Sequence, residues 1–437
     1  MAKPLLLHIG SPKTGSSSIQ EALFLNSSYL REQGIAIPVS LGFGTSNQIA
    51  LPMACTSPAE LGHAFINRYG FIGPEGRVRL VDTVRTLMRK DLDGAPFNRV
   101  LATSEHFWFL RSDYHFDVLS GLLSDLDLEL TNLVVYLRPQ SLFLASAMPT
   151  FLRDGRNTCQ FSADEATHFF YLDYNKMLAG WQKYFPDVQI QIVNFEATKK
   201  QLIPSFLATC ELPELPCAAP YMNAGLNNTG CEQMARLNRT WHRTIQRGGG
   251  LSIESPLHLM ISDSLNKQCS GKFELDNDSE ETIFRMFEES NKLLYEKFGL
   301  DFNLQPGASG GQQKPSESRL DNPAFDSITS LITAVEDSHL GSFLEEQLCQ
   351  REAKTAYFHA TTLLQKRQPD NLSTALQLSA KAVLLDPSFA PFWDLYWEVC
   401  VNRFKPAVIS AEMLALMQLS IPEQKLKLVI DKYKLMN

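Results

Sequence analysis

"HIGSPKTGSSSIQ", residues 8–20, places two glycines, a lysine and three consecutive serines directly behind the apolar run "LLLHI" of residues 5–9. A loop that follows a buried strand and opens a helix leaves several backbone N–H groups without partners at the positive end of the helix dipole. Such a loop is a phosphate site. Gly10 and Gly15 let the backbone curl around an anion without an obstructing Cβ, and Pro12 stiffens the approach. Lys13 adds a mobile point charge, and Ser16, Ser17 and Ser18 add hydroxyl donors that could also cap the helix. The nucleoside triphosphate loop G-x-x-x-x-G-K-[ST] has its lysine after the second glycine. Here Lys13 precedes Gly15 by two residues. The anion this loop holds is therefore not the usual triphosphate.

Four further runs rich in Leu, Ile and Val share the character of the first: "GIAIPV" (34–39), "RVLATSE" (99–105), "NLVVYLR" (132–138) and "VQIQIVNFE" (188–196). Runs of this kind predict strands buried on both faces, as in a parallel sheet covered by helices. The intervening segments are long enough for crossover helices, and Ile19, Leu23 and Leu30 recur at helical spacing after the loop. The expected fold is α/β, a P-loop-type parallel sheet flanked by helices.

The 437 residues, 44% of them hydrophobic, allow two or three domains. A net charge of -8 supplies no general basic field, which argues against nucleic acid as a partner. The opening "MAKPLLLHIG" is too short an apolar run for a signal peptide, and no apolar stretch reaches the length of a membrane span. Cytoplasmic location is the resulting expectation. The eight cysteines are scattered without a C-x-x-C pair or zinc-finger histidine spacing, so they read as reduced thiols.

Residues 304–322, "LQPGASGGQQKPSESRLDN", lose apolar content to Gly, Pro, Ser and Gln and read as a flexible linker between a domain of residues 1–303 and a smaller all-α domain of residues 323–437. In the latter, Ala375, Ala382 and Pro387 resemble the second helix and closing proline of a tetratricopeptide repeat, with a plain helical bundle as the competing reading.

"LLLHIGSPKTGSSSIQEAL" resembles the 5′-phosphosulfate loop of sulfotransferases, most closely the bacterial P-K-T-G-[ST]-[ST]-[ST] type. The resemblance runs from about residue 3 to about residue 240 and does not reach the C-terminal helices. It implies 3′-phosphoadenosine 5′-phosphosulfate as co-substrate, with Lys13, Thr14, Gly15, Ser16, Ser17 and Ser18 on the phosphosulfate. "NLVVYLRPQSLFLAS" then supplies Arg138 at a strand end and Ser146 eight residues on, the family's spacing for the 3′-phosphate. Pro149 is a departure that should kink this helix and displace Arg153 and Arg156. "TSEHF" is similar to the Ser-Glu step of related bacterial enzymes, which implies Glu105 as the catalytic base and His106 as the alternate. If both stand on a strand they face opposite sides. Lys13 would neutralise the leaving phosphate oxygen without a metal.

The expected activity is transfer of a sulfuryl group to a hydroxyl acceptor, with a carbohydrate or glycolipid favoured. A P-loop kinase for a small molecule is one alternative; another is a nucleotide-binding scaffold whose helical tail recruits a protein partner. "FWF" (107–109) is expected to pack in the core rather than stack a sugar. "QRGGGLS" (246–252) reads as an ordinary connection rather than a loop in which Arg247 reaches a phosphate.

Overall fold

The structure is a computed structural model that describes residues 2–57, 73–94, 96–161, 170–217, 225–247, 252–302, 323–366, 369–403, 417, 420 and 422–433. The linker of residues 304–322 and the glycines of residues 248–250 lie outside the described residues.

The five apolar runs become five strands: β1 (Lys3–His8), β2 (Ile35–Ala36), β3 (Arg99–Thr103), β4 (Leu128–Leu137) and β5 (Gln189–Asn194). All pair in parallel, in the order β2-β3-β1-β4-β5. Side-chain alternation explains why these runs are apolar throughout. Leu5 and Leu7 enter one core with Val100, Ala102, Leu133 and Val135, beneath the helices Asp113–Asp125 and Tyr174–Tyr184. Leu6 enters the opposite core with Leu101, Val134 and Tyr136, beneath the helices Ser16–Leu25 and Leu202–Thr209. Helices therefore cover both faces. Each fully buried leucine contributes about 1.5–3 kcal/mol relative to exposure, so the sheet is held from both sides.

Topology fixes where a ligand crevice opens. After β1 the chain leaves towards β2 on one side, while after β4 it leaves towards β5 on the other. Neighbouring strands whose connections part in this way leave a crevice beyond their carboxyl ends. The β1 end carries the loop of residues 9–15, and the β4 end carries Arg138.

The helix Gln140–Arg153 follows Arg138 at the β4 end. Phe143, Leu144 and Ala147 pack against Ile283 and Phe287, and Met148 and Leu152 pack among the helices Asn228–Thr240, Pro256–Gln268 and Pro323–Glu336. Pro149 lies buried inside this helix, which nonetheless continues to Arg153. The proline removes one backbone donor, leaving the Ala145 carbonyl without its helical partner, but packing on two sides keeps the last turn in place.

Beyond residue 322 the described residues form the helices Pro323–Glu336, Ser338–Gln365, Pro369–Leu385, Ala390–Arg403 and Glu423–Tyr433. Ala375 and Ala382 are fully buried in their cores. The helix before them spans Ser338–Gln365. Among the described residues no helix is long and apolar enough to cross a membrane.

Candidate functional site

The loop folds back on itself as its sequence demands. Thr14 Oγ1 donates to the Ser11 carbonyl at 2.5 Å, and Gly15 takes a left-handed conformation, φ 77°, at the start of the helix Ser16–Leu25. The left-handed backbone favours glycine here, and a Cβ on Gly15 would also push against the Leu202 Cδ2 methyl. Lys13 is also left-handed, φ 67°, which is unusual for a residue with a side chain. Strain of this sort costs roughly 1–3 kcal/mol and gathers at functional segments.

The serines do not cap the helix. Gly15 occupies the capping position with no side-chain hydrogen bond, and Ser18 and Ile19 donate their backbone N–H groups to its carbonyl. Among the described residues, the N–H groups of Lys13, Gly15, Ser16 and Ser17 donate to no protein acceptor. Ser16 Oγ is buried and unpartnered as well. A buried polar atom in that state costs about 1–3 kcal/mol. Directly beneath lies His8, whose Nδ1 meets Thr103 Oγ1 at 2.8 Å and whose Nε2 has no partner. A Cβ added to Gly10 would come within 2.6 Å of Ser16 Oγ and 3.1 Å of His8 Nε2. Gly10 thus keeps open a small space lined by unsatisfied polar groups.

The structure brings Lys13 and Arg138 together across the crevice. Arg138 Nη1 donates to the Lys13 carbonyl at 3.1 Å, which fastens the loop to the end of β4. Arg138 Nη2 forms a salt bridge with Glu196, its guanidinium lies over the Phe195 ring, and its Nε is buried without a partner. Tyr174 donates its hydroxyl to the Arg138 carbonyl at 2.8 Å and fixes the turn into the helix. Lys13 Nζ reaches that helix and donates to Thr150 Oγ1 at 2.6 Å. Burial pushes the Lys13 ammonium below the ordinary lysine value; Arg153 acts in the same direction, while Glu105 and Asp154 oppose it.

Ser146 is exposed on the same helix, one turn before Thr150. Residues four apart share a helix face, so Ser146 lies on the stripe that meets Lys13. It makes no contact with Arg138 in the hydrogen bonds of the described residues.

Glu105 and His106 are not on a strand. β3 ends at Thr103, and Glu105 opens a short 3-10 helix, Glu105–Phe109, whose tight winding replaces strand alternation. Ser104 caps it, accepting from His106 N at 3.3 Å and donating to Asn47 Oδ1 at 2.8 Å. Gln48 Oε1 accepts from Thr103 N at 2.6 Å and ties the same segment to β3. Glu105 lies within electrostatic reach of both Lys13 and His106. Burial lowers the His106 imidazole, an effect the Glu105 carboxylate partly offsets. His106 is accordingly neutral near pH 7, a state in which it can accept a proton. Phe107 and Trp108 are fully buried in the core. Arg247 turns away from the loop altogether, donating to the carbonyls of Leu384 and Leu385.

Thr150, Glu196, Asn47 and Gln48 were not singled out by the sequence pattern. Glu196 offered a signal, since it stands at the end of an apolar run as Arg138 does; Thr150 offered its spacing from Ser146. Asn47 and Gln48 lie in a loop without chemical signature. No family model and no curated protein matches this chain.

Proposed function

We propose that this chain transfers a sulfuryl group from 3′-phosphoadenosine 5′-phosphosulfate to a hydroxyl acceptor, from a P-loop-type site at the β1 and β4 ends. The observation that carries the reading is the joining of the Lys13 loop to Arg138 by a direct hydrogen bond. The two elements that the resemblance assigns to the two phosphate ends of the donor are neighbours, although 125 residues separate them.

The residues present fit such a ligand. Unpartnered N–H groups at Lys13, Gly15, Ser16 and Ser17, the free Ser16 hydroxyl and the space kept by Gly10 suit an anion at the helix start. Arg138 contributes one unpartnered N–H, and exposed Ser146 a hydroxyl. When bound, the donor supplies an activated sulfuryl group. Lys13 neutralises charge on the departing phosphate oxygen, while Glu105, or His106 in its neutral form, takes the proton of the attacking hydroxyl. In the balanced step an S–O bond forms to the acceptor and the S–O bond to the phosphate breaks. The chain's own residues provide the charge stabilisation in this scheme without a metal.

We read residues 323–437 as a second, all-α unit fastened to the first. Its helix Ser338–Gln365 sends Glu345 to the start of the helix Pro256–Gln268, where Glu345 Oε2 accepts from Ser255 Oγ and Leu257 N, each at 2.9 Å.

Calorimetry with 3′-phosphoadenosine 5′-phosphate and with 5′-AMP tests the site; tighter binding of the bisphosphate is expected, and the reverse preference would end the reading. Labelled donor offered with sugars, lipids and phenols then tests transfer. Glu105→Gln should keep donor binding and lose transfer; full turnover by this variant moves the base to His106. Turnover of ATP that requires Mg²⁺ would favour a kinase, and binding without any transfer would favour a scaffold.

A further inference from the structure

The last turn of the helix Gln140–Arg153 gathers two cations around one hydroxyl. Lys13 Nζ donates to Thr150 Oγ1 at 2.6 Å, and Arg153 Nη2 donates to the same oxygen at 3.2 Å. Arg153 Nε is held by the Pro149 carbonyl at 3.3 Å, so its guanidinium is fixed over the turn although the residue is exposed. Among the described residues, neither cation has a carboxylate within ion-pair distance. The nearby Asp154 is itself paired with Arg243. Like charges at such separation repel, and an anion between them turns that repulsion into attraction.

A threonine oxygen has two lone pairs and one proton. With both lone pairs accepting from Lys13 and Arg153, the Thr150 proton has to point away from them. The turn therefore offers the remaining ammonium and guanidinium protons side by side, while the hydroxyl oxygen they share holds the two cations together.

We propose that Lys13, Thr150 and Arg153 form a seat for a sulfate-type oxyanion, with Arg153 as its second cation. The identity of that anion rests on the sulfuryl-transfer reading: it is either the transferring group of the donor or a sulfate or phosphate substituent of the acceptor, beside the reacting hydroxyl.

The experiment compares Arg153→Ala and Arg153→Lys with the unaltered protein, using 3′-phosphoadenosine 5′-phosphosulfate, the bisphosphate that lacks the sulfuryl group, and inorganic sulfate. Loss of one hydrogen-bonded charge predicts about 10- to 100-fold weaker phosphosulfate binding in Arg153→Ala, with bisphosphate binding unchanged and partial recovery in Arg153→Lys. That result assigns the seat to the donor. Unchanged donor binding, with a raised KM confined to sulfated or phosphorylated acceptors, assigns it to the acceptor. If neither donor affinity, kcat nor acceptor KM moves beyond about twofold, against the larger loss expected for a charged hydrogen bond, the proposal is overturned. Should the unaltered protein fail to bind the bisphosphate, the sulfuryl-transfer reading fails, and inorganic sulfate alone decides the seat. Sulfate binding that Arg153→Ala abolishes upholds the seat, and sulfate binding that is absent or insensitive to Arg153 removes it. Matching thermal melts confirm that the variants are folded.

Discussion

His8 gives the sharpest physical test of the buried floor beneath the loop. It lies fully buried on β1, with Nδ1 on Thr103 Oγ1, Nε2 unpartnered, and the rings of Tyr136 and Phe206 edge-on at 6.0 and 5.2 Å. Burial pushes its imidazole from 6.5 down to about 3. Between those values the unfolded chain binds a proton that the folded chain refuses, so stability is fully present above pH 6.5 and falls as the pH drops towards 3. At about pH 5 the loss attributable to His8 works out at about 2 kcal/mol. His258, lowered to about 4 by burial and by Arg243, acts in the same direction, so the unaltered protein alone does not isolate the effect. His8→Asn does, because its amide stands near the Nδ1 position and does not titrate. Urea unfolding at about pH 7.5 and about pH 5 should show the unaltered protein losing about 2 kcal/mol more than His8→Asn. Parallel losses in the two proteins, or an imidazole resonance of His8 that titrates near 6.5, would refute the reasoning.

Glu345→Ala removes the acceptor shared by Ser255 Oγ and Leu257 N in a buried place and should destabilise the chain by roughly 2–4 kcal/mol in urea unfolding; an unchanged midpoint would show that Glu345 does not fasten the helices. Lys13→Gly and Lys13→Ala both delete the ammonium and should both abolish transfer, but at φ 67° glycine should be the more stable by about 1 kcal/mol, the opposite of the ordinary preference for alanine. Equal stability, or a more stable alanine variant, would mean that Lys13 is not held in the left-handed region.

The sheet was legible because a strand buried on both faces has to be apolar at every position, a signal contained within a few residues. All five runs paired in parallel, including the one that yields only the two-residue β2. Details at strand ends were less legible. The run "RVLATSE" continues in composition past Thr103, yet the hydroxyl of Ser104 captures His106 N and winds the next residues into a 3-10 helix. That local side-chain competition, rather than strand alternation, sets how Glu105 and His106 stand. The serines after Gly15 looked like caps by type, but the left-handed glycine occupies the cap itself and leaves Ser16 beneath the loop.

What joins the site is tertiary. Leu137 and Asn194 are in register on β4 and β5, so the charged residues just past them, Arg138 and Glu196, meet although 58 residues separate them. By the same logic the β1 loop meets the residue after β4, and Lys13 crosses the crevice to Thr150, 137 residues away. None of these pairings is written in the spacing of either partner. Each follows from strand order, because parallel strands put all their carboxyl ends along one edge and a reversal of winding opens that edge between β1 and β4. The sequence could nominate Lys13 and Arg138 by type and position, but the neighbours that decide their chemistry, Thr150, Arg153 and Glu196, are chosen by the order of the sheet.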